Sequence, residues 1–234
     1  MISTKLPNII NDINTVLFPN LCFGCNVRLY RGEQTLCTLC RNQIPLTEFN
    51  FKDENRLDKT FYGRIDVKKA SCLLYYSENG IIKNLIHHLK YKNQPQIGDF
   101  LGEWYGSILK DDRALPIIHY VIPVPLHPKK LRQRGYNQVA SFGTQLANLL
   151  QATYADNLLI KTRNSKTQTQ KTRVFRMQHG NPLFALKNTE ILQGKNVLLV
   201  DDVVTTGATL EACTKALLKC NGVSVYIATM AMVP

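Results

Sequence analysis

The sequence is short of acid, and the shortage is local. Over the whole chain 17 Asp and Glu face 29 Lys and Arg, a net charge of +12 in 234 residues. Between Val121 and Lys187 eleven basic residues stand against one acid, Asp156, so this stretch holds ten of the twelve net charges. Long apolar runs are missing too. None reaches the roughly 18 residues that a membrane-crossing helix needs, which excludes an ordinary transmembrane span. The opening MISTKLPNIINDINTVLFPN is broken by Asn11, Asp12 and Asn14, which spoils the apolar core of a secretory signal. Its Leu6, Ile9, Ile10, Ile13, Val16 and Leu17 follow helical spacing instead. That pattern suits a helix docked on its own domain or, as the alternative, one lying on a membrane surface. Internal repeats and low-complexity tracts are absent. What is present is the composition of a folded protein, 44% hydrophobic and 20% charged, long enough for one sizeable core and a small appended module. The concentrated positive charge favours a phosphate-bearing partner. Charge alone does not separate a phosphorylated metabolite from a nucleic acid.

Cysteine is not scarce. Four of the seven form CFGC (Cys22, Cys25) and CTLC (Cys37, Cys40), with eleven residues between the pairs. Two such knuckles can place four thiolates tetrahedrally around Zn²⁺, and with all four positions filled the metal is structural. Gly24 relieves the backbone where the first knuckle curls toward the metal. Two disulfides are the competing account, and they require an oxidising compartment that nothing in the sequence announces. A redox Cys-x-x-Cys is a third, but it expects one pair on a thioredoxin-like fold. Cys72, Cys213 and Cys220 lie in apolar surroundings and read as core residues. The first 45 or so residues thus form a zinc-ribbon-like module.

Beyond the cysteines, NFKDENRLDKTFYGRIDVKK has charge but no period and reads as a surface linker. A strand-like ASCLLYYS (70–77) follows, then helical GIIKNLIHHLKY and IGDFLGEWYGSILKDD. His87 and His88, adjacent on the first of these helices, point about 100° apart and read as ordinary boundary residues. IIHYVIPVP (117–125) is a buried strand ended by prolines, YNQVASFGTQLANLL (136–150) an amphipathic helix, and 161–181 a basic stretch without period. Strand NVLLV, helix GATLEACTKALLKC and strand GVSVYIATMAM close the chain. Strands alternating with helices predict a parallel, doubly wound α/β domain.

The chemistry concentrates in VLLVDDVVTTGAT (197–209). NVLLV reads as a central parallel strand, and ligands in such sheets bind beyond the carboxyl ends of the strands. Asp201 and Asp202 fall there. The next helix begins in Thr205, Thr206, Gly207, Ala208 and Thr209, where free backbone N–H groups and the helix dipole suit a phosphate. Gly207 allows close approach, and the threonines add hydroxyl donors. The aspartates are acceptors suited to adjacent sugar hydroxyls, or to Mg²⁺ through water. A phosphate at one end and a diol at the other describe a ribose 5-phosphate. An ordinary strand-turn-helix would explain the threonines, but not two carboxylates ending a buried strand.

Residues 197–209 resemble throughout the signature of type I phosphoribosyltransferases, enzymes that use phosphoribosyl pyrophosphate (PRPP). IPVPLHPKKLRQRGYNQ (122–138), behind the four-cysteine module and ahead of the signature, resembles the ComF family of competence-associated proteins, and the resemblance spans nearly the whole chain in order. It implies a type I phosphoribosyltransferase-like parallel sheet flanked by helices in residues 61–234, preceded by the N-terminal helix, zinc ribbon and linker in residues 1–60. It implies ribose contacts and catalysis at Asp201 and Asp202, with 5-phosphate binding at Thr205, Thr206, Gly207, Ala208 and Thr209. Pyrophosphate falls to the loop at Leu126 and His127, with Lys129, Arg132 and Arg134 in support, and Mg²⁺ accompanies the PRPP. The stretch 161–181 corresponds to a mobile loop, in which Gln168, Arg173 and Arg176 fit the family pattern. His179 stands where many members have Asn, and Tyr136 where the family motif RGFNQ has Phe. The acceptor substrate is not legible, so turnover stays open. The resemblance equally implies a role in natural competence and DNA uptake. The alternative to an enzyme is therefore a non-catalytic factor handling single-stranded DNA with the uptake machinery, its basic loops tracking the backbone and Tyr136 and Phe175 stacking on bases. Either role implies a cytoplasmic location, the inner face of the membrane included.

Overall fold

In the computed structural model, residues 19–162 and 183–234 are described. The expected N-terminal helix, and all of the basic stretch except Lys161 and Thr162, lie outside them. No described helix is long and apolar enough to cross a membrane.

Five strands, β1 (Lys69–Tyr75), β2 (Tyr120–Pro123), β3 (Thr153–Tyr154), β6 (Asn196–Val204) and β7 (Ser224–Met232), make a parallel sheet in the order β1-β7-β6-β2-β3. A small antiparallel pair, β4 (Leu159–Lys161) and β5 (Phe184–Leu186), lies apart from it. The helices are α1 (Thr38–Asn42), α2 (Arg56–Phe61), α3 (Ile81–Tyr91), α4 (Gln96–Asp111), α5 (Pro128–Arg134), α6 (Ala140–Leu149) and α7 (Ala208–Leu217). The run Val197, Leu198, Leu199 and Val200 is fully buried, and at about 1.5–3 kcal/mol for each buried aliphatic side chain it anchors β6 at the sheet centre. Alternation sends Leu198 and Val200 into one core, with α3, α4, α6 and the cysteine module. Val197 and Leu199 go into the other, with α2, α7 and β4–β5. The predicted doubly wound α/β architecture is what the chain adopts.

Chain order turns around between β2 and β6: β3 lies to one side of β2, and β7 and β1 beyond β6 on the other. Such a reversal is where open α/β sheets hold ligands. β2 ends at Pro123, paired with Val200, whereas β6 continues along β7 to Val204. Asp201 to Val204 therefore run past the end of β2, with that edge of β6 opening into a crevice.

Two stretches differ from their sequence reading. The polar connector contains α2, whose Leu57 and Phe61 are buried. A capping box starts it: the Asn55 side chain accepts from the Asp58 N–H, and Asp58 accepts from the Asn55 N–H at 3.0 Å. A six-residue helix is too short to show a period, so only the Asn55–Asp58 spacing could have revealed it. The basic loop after β2 is largely helix α5. Pro128 opens it, His127 Nδ1 accepts from the Lys129 N–H at 3.2 Å, and Gly135 closes it at φ 83°. Pro at the start and Gly past the end are the usual punctuation of a short helix.

α4 reaches α6 through Gly98, Gly102 and Gly106. A Cβ at Gly102 would lie 2.8 Å from Phe142 O, and one at Gly106 would lie 2.6 Å from Leu149 Cδ1. Small residues one turn apart let the helices meet backbone to backbone, which fixes α6 and the residues leading into it.

Candidate functional site

The four expected metal ligands converge. Cys22, Cys25, Cys37 and Cys40 place their sulfur atoms within 4.8 Å of one another. Cys25 and Cys37 are 3.7 Å apart, close to the roughly 3.8 Å that tetrahedral zinc with bonds of about 2.3 Å imposes. Cys22 Sγ accepts from the backbone N–H groups of Gly24 at 3.4 Å and Cys37 at 3.3 Å. Burial pushes the Cys22 thiol up, but N–H donors from Cys37, Cys25 and Gly24 prevail and bring it down to about 7. Cys25 and Cys40 are shifted upward instead, Cys40 chiefly by burial, so it is the tetrahedral spacing of the four sulfurs that fits zinc. The left-handed residue of the first knuckle is Asn26 (φ 60°). Gly24 is required for contact: a Cβ there would meet Cys40 Sγ and Ile81 Cγ2 at 3.0 Å. The module docks on α3 through Asn84 Nδ2, which donates to Gly24 O at 2.7 Å, and it shares a core with the sheet.

At the crevice, strand geometry separates the two aspartates. Successive strand residues face opposite ways, and their partners come from opposite layers. Asp202 is buried on the α3 side, where Lys90 Nζ lies 3.0 Å from its Oδ1 and Gln138 Nε2 donates to its Oδ2 at 2.7 Å. The Arg134 guanidinium donates in turn to Gln138 Oε1. Asp201 faces the other layer, with Cys213 and Lys161 among its electrostatic neighbours. Burial, then the charge of Asp202, pushes its carboxyl up to about 8. Lys161, held down by burial and then by Lys130, sits with its ammonium 5.2 Å from the centre of the Phe184 ring.

Asp201 and the threonine turn enclose one hollow of about 50 Å³, with Val204, Thr205, Gly207 and Thr209 in its wall. Thr205, Thr206, Ala208 and Thr209 are exposed, whereas Gly207 is buried at φ 72°. Gly207 caps α7, and the Ala208 N–H that begins the helix donates to Thr206 Oγ1 at 3.5 Å in the wall of the hollow. Glycine is demanded twice over, because a Cβ there would also lie 2.8 Å from Phe61 on α2. The turn is braced from outside by Arg64, whose Nη1 donates to Thr206 O at 2.9 Å and to Thr60 O at 3.0 Å. Its Nε donates to Glu211 at 2.9 Å, and Lys215, followed by Arg64, holds that carboxyl below its ordinary range.

The residues after β2 divide. Arg134 joins the Asp202 network, and its guanidinium lies 5.5 Å from the Tyr91 ring centre. Lys129 and Arg132 are exposed, Leu126 is half-buried, and His127 serves as the cap of α5. The sequence reading missed Lys90, Arg64 and Glu211 as site residues. Lys90 and Arg64 stand in no motif, and only the fold brings them to the crevice. Gln138 closes the quoted RGYNQ, where its position in the motif was the available signal.

Comparison with known proteins agrees with this arrangement. A family model described as the phosphoribosyl transferase domain matches residues 140–234, which include β6, both aspartates and the threonine turn. The fold, the crevice at the sheet reversal and this match give a phosphoribosyltransferase-like sheet. The full chain is similar to Competence protein F of Haemophilus influenzae, 26% identical over 211 residues that cover 85% of this chain and 90% of the relative. Competence protein ComFC of Bacillus subtilis is 27% identical over 205 residues, 85% of this chain and 78% of the relative. DNA utilization protein YhgH of Escherichia coli O157:H7 is 25% identical over 224 residues, 89% and 95%. With the four-cysteine cluster ahead of the phosphoribosyltransferase-like sheet, the resemblance to the ComF family holds over most of the chain.

Proposed function

We propose that the crevice at the end of β6 binds PRPP. The observation that carries this reading is the hollow shared by Asp201 and the helix terminus at Gly207. Backbone N–H groups and threonine hydroxyls receive the 5-phosphate, and Asp201 accepts from a ribose hydroxyl. Asp202 acts from the opposite face. Lys90 and Gln138 fix its carboxylate, so it positions the strand end and offers its remaining lone pairs to the sugar. Mg²⁺ fits this donor set through Asp201 and oxygens of the ligand, the usual pattern of one or two carboxylates plus phosphates. When bound, it neutralises the pyrophosphate charge. Arg134 and Lys130 extend positive charge along the same side. In a transfer reaction an acceptor lone pair bonds to ribose C1 while the C1–oxygen bond breaks and its electron pair leaves with pyrophosphate. The acceptor's proton goes to solvent.

Calorimetry of PRPP with Mg²⁺ tests this. Asp201→Asn weakens binding at least tenfold, whereas equal affinity in wild type and variant removes the reading.

The similarity to competence and DNA utilization proteins supports a second reading at the cellular level, a role in competence and DNA uptake. Lys166, Lys171 and Arg173 of the basic stretch are the cations this reading assigns to strand contact, and they lie outside the described residues. Binding of a single-stranded oligomer that falls steeply with salt and with charge reversal at those positions supports it. Binding indifferent to both removes it.

A further inference from the structure

Among the described residues, the buried side-chain polar atoms without a hydrogen-bond partner are Tyr154 Oη, Thr214 Oγ1 and Thr229 Oγ1. Thr229 is set apart by its place in the sheet. It lies fully buried on β7, and its register partner across the ladder to β6 is Asp201. Adjacent strands run about 4.8 Å apart, and residues in register share a face. Val225 and Ile227, four and two residues before it, enter the core with α7. Alternation therefore puts Thr229 on that face too, beside Asp201. Its partner on the other side is Cys72 of β1, whose thiol already donates to Leu74 O at 3.8 Å. Along this row the polar group open to the Thr229 hydroxyl is the Asp201 carboxyl. Asp201 Oδ1 accepts from the Asp202 N–H at 2.9 Å, and among the described residues no hydrogen bond joins it to a side chain. Valine has nearly the shape of threonine and suits a strand equally well, whereas a hydroxyl buried without a partner costs stability. A threonine here is explained when one state of the site uses its hydroxyl.

We infer that Thr229 is a positioning residue of the crevice: in the ligand-bound state its hydroxyl donates to the Asp201 carboxylate and holds it toward the sugar. The inference rests on the PRPP reading, because it concerns the occupied state of that site. Calorimetry of PRPP with Mg²⁺ on the whole zinc-loaded protein tests it, alongside thermal melts. Thr229→Val keeps the shape and removes the hydroxyl, while Thr229→Ser keeps the hydroxyl and removes the methyl. The valine variant melts no lower than wild type and binds PRPP at least fivefold more weakly. The serine variant melts lower and keeps its affinity within twofold. Affinity thus follows the hydroxyl and stability the methyl, a split that a merely structural threonine does not produce. Thr214→Val, equally buried and unpartnered but on α7, leaves affinity within twofold. Because Thr229 acts through Asp201, adding Thr229→Val to Asp201→Ala costs less than a further twofold. If the valine variant does not fold, the serine variant decides alone. Affinity unchanged in folded Thr229→Val, or lost in folded Thr229→Ser, overturns the assignment. So does a full second loss on top of Asp201→Ala, or an equal loss in Thr214→Val. The layers stay distinguishable. Wild type that ignores PRPP, or binding that ignores Asp201→Asn, sinks the donor reading and this role together. Binding that depends on Asp201 but not on Thr229 sinks this role alone.

Discussion

The cysteine cluster and the β6 crevice are built from opposite solutions to the same problem. In the cluster, polar atoms turn toward one another: four sulfurs meet within 4.8 Å, and backbone N–H groups point at Cys22. A tetrahedral metal would use all four sulfurs and leave nothing to offer. In the crevice, one acid is held by two side chains and its neighbour by a backbone N–H alone, that of Asp202, which donates to Asp201 Oδ1 at 2.9 Å. Asp202 has Lys90 and Gln138, while Asp201 is half-buried beside its twin's charge and lines a hollow. Closed polar sets hold folds together, whereas a polar set left incomplete at a sheet reversal marks where a ligand belongs.

The contrast can be broken at several points. Removing zinc has the largest effect, since structural zinc contributes about 10–16 kcal/mol in small modules. Chelation, or Cys37→Ala, lowers the melting temperature by on the order of 10 °C or more, read by calorimetry alongside release of one zinc per chain. Lys90→Met comes next. It strands a buried Asp202 carboxylate, an imbalance worth about 3 kcal/mol, and Asp202→Asn in the same chain recovers part of the loss. Gly207→Ala forces an alanine to a positive φ, costing about 1–2 kcal/mol, and drives its Cβ toward Phe61. It lowers both melting temperature and PRPP affinity. Arg64→Ala is the smallest change, below about 1 kcal/mol for a partly exposed ion pair, and it appears in PRPP affinity more than in stability.

Asp201 sharpens the comparison through pH. Burial and then the Asp202 charge push its folded carboxyl up to about 8, above the unfolded value of about 3.9. The folded state therefore holds an extra proton between those values. Stability from this group is full below about pH 4 and is lost as pH rises through 8. Asp201→Asn does not titrate, so its melting temperature gains on wild type from pH 5 to pH 8 and then holds a constant lead. Affinity for PRPP with Mg²⁺ moves the other way in wild type, rising toward pH 8.5 as the acid loses its proton.

Much of this was legible beforehand. The cysteine spacing foretold the cluster, and the aliphatic run followed by paired acids and a glycine-bearing turn foretold the sheet end and the hollow. The divergence of Asp201 and Asp202 also follows from strand period, once the strand is seen to continue through them. What could not be read is what distance in sequence conceals. Lys90 reaches Asp202, Arg64 braces Thr206, and the glycine stripe of α4 seats α6, and each depends on packing that no local pattern encodes. Helices α2 and α5 escaped because at six and seven residues only their caps announce them.

Amide chemical shifts report most directly on where the ligand sits. Titration of the ¹⁵N-labelled, zinc-loaded protein with PRPP and Mg²⁺ shifts Thr206, Gly207, Ala208 and Thr209 together with Asp201, and leaves Cys25 and Leu39 unmoved. Shifts gathered in the cysteine module, with the threonine turn silent, would contradict the account.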